Sequence, residues 1–136
     1  MAYRMQNLKS FVPAILWLLI ILVLSGYPGN HLPKLPVWQF DKLIHSIIYA
    51  ILSICMAIAF NKQYVTTNNR LQIGIIIVLI CVFYGGLMEI LQNSIFINRS
   101  GNWYDFIANT IGAIIGVLIY PLVANFFPFN RWLGIK

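Results

Sequence analysis

The stretch LQIGIIIVLICVFYGGLMEI, Leu71–Ile90, decides the fold. Between Gln72 and Glu89 it carries no charged or amide side chain, and its apolar residues recur on every face of a helix rather than on one stripe. A soluble protein keeps such a helix for a deep core; a helix of about 20 apolar residues also matches the roughly 30 Å of hydrocarbon in a bilayer. The composition of the rest of the chain chooses between these. Of 136 residues 60% are hydrophobic and 9% charged, and the mean hydropathy is +0.81, so there is too little polar surface to coat a globule. The sequence predicts an all-α integral membrane protein.

Outward from this stretch, three further apolar segments can be marked: Phe11–Leu24, Leu43–Phe60 and Phe106–Phe127. The last two are long enough to span. The first is shorter, and its flanks, Arg4 and Lys9 before it and Val23-Leu24-Ser25 after it, also suit a signal peptide. It is read as a retained span, because Leu8 extends it, Tyr27 anchors it and no secreted domain follows. The expectation is a bundle of four transmembrane helices forming a single domain over residues 1–136, with no internal repeat. A net charge of +6 raises the question of nucleic acid, but no basic run interleaved with aromatic residues is present, so nucleic acid is excluded as a partner. Membrane lipids are the expected surroundings, and the charge belongs to topology. Cys55 and Cys81 sit in apolar stretches without a ligand pattern and read as small buried hydrophobes.

Basic residues give the orientation. Arg4, Lys9, Lys62, Arg70, Arg131 and Lys136 fall on one side and Lys34, Lys42 and Arg99 on the other, a bias of six to three that predicts both termini in the cytoplasm. Trp38, Trp103 and Tyr104 then mark the outer headgroup level and Trp132 the inner one.

All three acids of the chain, Asp41, Glu89 and Asp105, lie at or within a turn of a span, and this topology gathers them at the outer leaflet. A carboxylate in that setting is costly, roughly 2.5 to 3.5 kcal/mol at a helix centre, so it needs a partner, a water-filled cavity or a role. Lys42, His45, Tyr49, Gln92, Arg99 and Asn109 supply candidate partners and complete the expected site. Lys42, Ser46, Tyr49 and Ser53 stack on one face of the second helix, and Asp105, Asn109, Gly112 and Gly116 on one face of the fourth. Gly112 and Gly116 form a Gly-x-x-x-Gly pair that lets helices approach closely in lipid, and Gly85 and Gly86 give the third helix a similar small face. Asp41 and Asp105 also suit helix N-termini, where the dipole favours an anion. Glu89 stands near a helix C-terminus, where it does not, which makes it the acid least explained by local structure. His45, with one carboxylate four residues earlier and no second histidine nearby, does not make a metal set, and neither metal nor cofactor is expected.

Taken together, Asp41-Lys42-x-x-His45-x-x-x-Tyr49, Glu89-x-x-Gln92, Arg99, and Asp105-x-x-x-Asn109-x-x-Gly112-x-x-x-Gly116 resemble the VanZ-like family of small bacterial membrane proteins. The resemblance runs from about Asp41 to Gly116 and implies a multi-pass protein of the bacterial cytoplasmic (inner) membrane and cell envelope. The family takes its name from a protein that lends resistance to the lipoglycopeptide teicoplanin, so antibiotic resistance is an implied setting. It transfers no catalytic residues. Four functions remain open from the residues: an outer pocket that binds an amphiphile such as a lipid headgroup, a lipid-linked wall precursor or a lipoglycopeptide; a membrane enzyme using carboxylate and His acid-base chemistry on such a headgroup; a structural or assembly partner working through its glycine faces; and ion or proton transport, which polar stripes that stop short of the cytoplasmic side disfavour. The lack of a strong nucleophile, a metal cluster or a phosphate-cradling glycine loop favours binding. Oligomeric state is not legible.

Overall fold

The computed structural model describes residues 8–31, 38–61, 64 and 69–126. They form four helices: α1 (Val12–Gly26), entered through a 3-10 turn at Leu8–Phe11, α2 (Trp38–Ala59), α3 (Arg70–Ser94) and α4 (Trp103–Phe126). Each is long and apolar enough to cross a membrane, α1 when counted from Leu8. At one end of the bundle α2, α3 and α4 outrun their apolar segments by about a turn, carrying Asp41, Gln92 and Asp105 on helix. Hydrophobicity stops there, but backbone hydrogen bonding continues through polar residues.

The bundle is built around the pairing of α2 with α4. A Cβ added at Gly112 would run into the backbone carbonyl of Ser46, and one at Gly116 into the carbonyl of Ala50 and the hydroxyl of Ser53. Only glycine permits that separation, and in lipid such close van der Waals contact supplies much of the association energy. The polar stripe of α2 faces the same seam: Ser46 Oγ donates to the carbonyl of Ala108 at 2.9 Å, and Ser53 Oγ turns back to that of Ala50 at 3.0 Å. α3 closes the core, with Gly85 against the Tyr49 ring and Asn109, and Gly86 against Phe106. Leu52, Ile77, Cys81, Met88, Ala113 and Tyr120 fill the interior. Large hydrophobic side chains, such as Ile75, Leu79 and Phe83 of α3 and Ile111, Leu118 and Leu122 of α4, point outward as lipid-facing surface.

α1 lies at the periphery and buries only Ala14 and Ile21. It is tied on by polar tips: Trp17 Nε1 donates to the carbonyl of Ile48 at 2.9 Å, and the Tyr84 hydroxyl donates to that of Leu18 at 2.7 Å. At the far end of the bundle, Pro121 of α4 cannot offer an N–H to the carbonyl of Val117. The Tyr64 hydroxyl takes that place, donating to Val117 at 2.8 Å, while its ring meets Tyr120 edge to face. A freed carbonyl within a membrane span is costly, and this bond resolves it.

Of the residues that carry the orientation reading, Arg4, Lys34, Lys62, Arg131 and Lys136 lie outside the described residues, as do Trp132 and the Trp38 side chain. Trp103 and Tyr104 are exposed at the start of α4, as an aromatic belt requires.

Candidate functional site

Three helix ends converge where the acids lie: the first turns of α2 and α4 and the last turns of α3. Lys42 Nζ donates to Asp41 Oδ2 at 2.6 Å and also to Asp105 Oδ1, so one ammonium bridges two carboxylates from different helices. The Lys42 and Asp105 side chains are only 14% and 12% exposed, which shields the pair from the screening that weakens surface bridges. The other oxygens face His45, whose Nε2 lies 3.9 Å from Asp41 Oδ1 and 3.8 Å from Asp105 Oδ2. On its far side, His45 Nδ1 is 3.1 Å from Oδ1 of the buried Asn109. With the amide oxygen as acceptor, the ring proton sits on Nδ1 and the Nε2 lone pair faces the two carboxylates.

This arrangement can take a proton, since an imidazolium would donate toward both aspartates. It also has the composition of a divalent cation set: Asp41, His45 and Asp105 each bring a ligand atom within 4.8 Å of the others. Only Asp41 stands near His45 in sequence, four residues earlier; α4 brings Asp105 as the second carboxylate. The Lys42 ammonium already supplies positive charge between these carboxylates, so a metal would have to compete with it.

Glu89 belongs to the adjoining cleft between α3 and α4. Its Oε2 accepts the backbone N–H of Asn102 at 2.7 Å, and its other oxygen has no hydrogen-bond donor among the described residues. Asn102 caps α4, its Oδ1 accepting the N–H of Tyr104 at 3.0 Å, and the helix dipole of α4 thus favours the Glu89 anion that the end of α3 disfavours. Asp105 is directed to Lys42 instead of capping its own helix. The turn is held close by Gly101, whose N–H donates to Asn93 Oδ1 at 2.8 Å and where a Cβ would collide with the carbonyl of Glu89. The cleft has a volume of about 260 Å³ and is lined by Gly86, Glu89, Ile90, Asn93, Gly101, Asn102, Trp103 and Phe106. Trp103 and Phe106 meet with ring planes at 89° and centroids 5.9 Å apart.

The fold thus brings Asp41, Lys42, His45, Asp105 and Asn109 together, with Glu89 in the adjoining cleft. Tyr49 lies a turn deeper than His45, buried, its hydroxyl without a hydrogen-bond partner among the described residues. Gln92 is buried on α3. Arg99 stands apart: its Cδ lies against Gly29 in the loop after α1, and it forms no ion pair with an acid among the described residues. Sequence reasoning did not single out Asn102 or Phe106. The Gly101-Asn102 pair just before α4 is a helix-start signal that points to the first turn, but nothing in the sequence shows which carboxylate it receives.

Comparison with known proteins agrees with the pattern of residues. The family model described as VanZ/LLP1 matches residues 3–124. An uncharacterised protein of Schizosaccharomyces pombe is 26% identical over 101 residues, covering 74% of this chain. The chain spans 58% of that relative's length. No solved structure matches. With nearly its whole length matched, from the first helix to the last, this chain belongs to the VanZ-like family.

Proposed function

We propose that this VanZ-like protein holds, at the end where its acids gather, a pocket that binds an amphiphilic ligand: a lipid headgroup, a lipid-linked wall precursor or a lipoglycopeptide. Both termini are cytoplasmic in this reading, so the pocket opens at the outer leaflet of a bacterial cytoplasmic membrane. Its family's link to teicoplanin resistance makes a lipoglycopeptide one of the ligands to test.

The observation that carries the reading is Glu89. Its carboxylate lines a cleft between two spans, one oxygen held by Asn102 and the other without a donor among the described residues, with apolar and aromatic walls alongside. Pockets that bind small molecules combine apolar walls with a few placed polar groups in this way. The neighbouring aspartates are already paired with Lys42, which leaves Glu89 as the carboxylate available to a ligand.

One arrangement favours a second reading, that of a membrane enzyme. His45, oriented by Asn109 and facing two carboxylates, has the geometry of a proton carrier. Lipid extracted with the purified protein, analysed at once and after incubation, separates the two. Retention of one headgroup class without change supports binding, release of an altered product supports the enzyme, and retention of bulk lipid in proportion to its abundance removes both.

A further inference from the structure

Resting on the pocket reading above, we infer that the Glu89 cleft selects the charge of its ligand: it takes a headgroup that ends in an ammonium, attached to an acyl or alkyl chain.

Three independent features of the cleft converge on that chemistry. The first is the charge balance. At this end of the bundle three carboxylates, Asp41, Glu89 and Asp105, face two cations among the described residues, Lys42 and Arg99. Lys42 is paired with the two aspartates, and the Cδ of Arg99 lies against Gly29. Glu89 is the charged side chain that lines the cleft. An anionic group would meet an unneutralised carboxylate there.

The second feature is the aromatic corner. Trp103 and Phe106 are both part of the lining and meet edge to face, planes at 89° and centroids 5.9 Å apart, beside one carboxylate. Ring faces attract cations through their quadrupole, and walls of this kind with an acid are how ammonium groups are recognised elsewhere. Neutral polar headgroups gain nothing comparable from such walls.

The third is depth and size. Trp103 is 80% exposed at the first turn of α4, where an interfacial tryptophan sits among headgroups, so the corner lies at the level at which a lipid carries its charge. About 260 Å³ holds a headgroup but not a chain. The chain would follow the apolar outer surface past Ile90, which is exposed on α3 at the edge of the same cleft. Glu89 can meet an ammonium without giving up Asn102, because only one of its oxygens is used by the backbone.

The test uses the full-length protein in a neutral maltoside detergent and two probes, hexadecylphosphocholine and its isostere in which a 3,3-dimethylbutyl group replaces choline. The pair differs in one atom at the head, nitrogen against carbon, and in the charge that nitrogen carries. Native mass spectrometry reads the bound fraction of each. The expected result is a preference of about tenfold for the charged probe, abolished in Glu89→Gln and reduced in Trp103→Leu. Equal binding of both probes, displaced from the cleft by one another, would leave an amphiphile pocket but overturn its selection for ammonium. A preference for the charged probe that survives both substitutions would move the selection to another site. Binding of neither probe would remove the pocket reading itself.

Discussion

Glu89, at the C-terminal end of α3, accepts the backbone N–H of Asn102, at the N-terminal cap of α4, at 2.7 Å. The bond ties two spans across a short turn and gives an otherwise ill-placed anion the favourable end of a second helix dipole. It also sets what each substitution should do. Glu89→Gln keeps an oxygen for Asn102 and should leave the thermal midpoint in detergent nearly unchanged. Glu89→Leu leaves that N–H without its acceptor and should destabilise by about 1 to 3 kcal/mol. A Gln variant as unstable as the Leu variant would make the charge itself structural.

The Lys42 bridge predicts strong coupling between helices. Lys42→Met leaves Asp41 and Asp105 facing each other without their cation, and removing one partner of a shielded bridge costs about 3 kcal/mol. Combining it with Asp105→Leu should recover a large part of that loss, because the second change removes the stranded charge. A double-mutant cycle on thermal stability checks this; additive losses would show that the bridge carries no coupling.

Gly112→Leu tests the seam between α2 and α4. The obstacle a side chain would meet is the backbone of Ser46, which cannot rotate out of the way. Overpacking commonly costs about 1 to 3 kcal/mol, and here the helices must separate, so abundance in the membrane and thermal stability should both fall. The same substitution at the lipid-facing Ile111 should be tolerated, which controls for insertion.

At the far end, the Tyr64 hydroxyl serves the carbonyl that Pro121 leaves free. Tyr64→Phe should therefore cost about 1 to 3 kcal/mol in the wild-type background and less in Pro121→Ala, where the backbone N–H of residue 121 returns as a donor. Equal cost in both backgrounds would detach the hydroxyl from the proline.

How much of this was legible in the sequence follows from which forces act locally. The four helices and the glycine faces were, because hydropathy and a spacing of four residues are properties of a segment. That Asp41, His45 and Asp105 meet was foreshadowed by topology, since α2 and α4 begin at the same end of the bundle. The helix limits were less legible, because Gln92 and Asp105 end an apolar run without ending a helix. Pairings that depend on one rotamer or one turn lay outside reach. Lys42 reads as one of several candidate partners until α4 supplies Asp105, Glu89 reads as misplaced until Asn102 approaches it, and Tyr64 shows no link to Val117, 53 residues away.

The central claim, that the Glu89 end of the bundle is a ligand pocket and not only a structural junction, is tested most directly by purifying wild type and Glu89→Gln side by side. Co-extracted lipid and thermal midpoint would be measured on the same samples. The account predicts that wild type retains one headgroup class well above its share of the membrane, that Glu89→Gln loses that enrichment, and that the two melt within a degree or two of each other, since a stability change under about 0.5 kcal/mol moves the midpoint little. Identical lipid enrichment in both proteins, or loss of stability together with loss of lipid in the variant, would contradict it and leave Glu89 as a structural partner of Asn102.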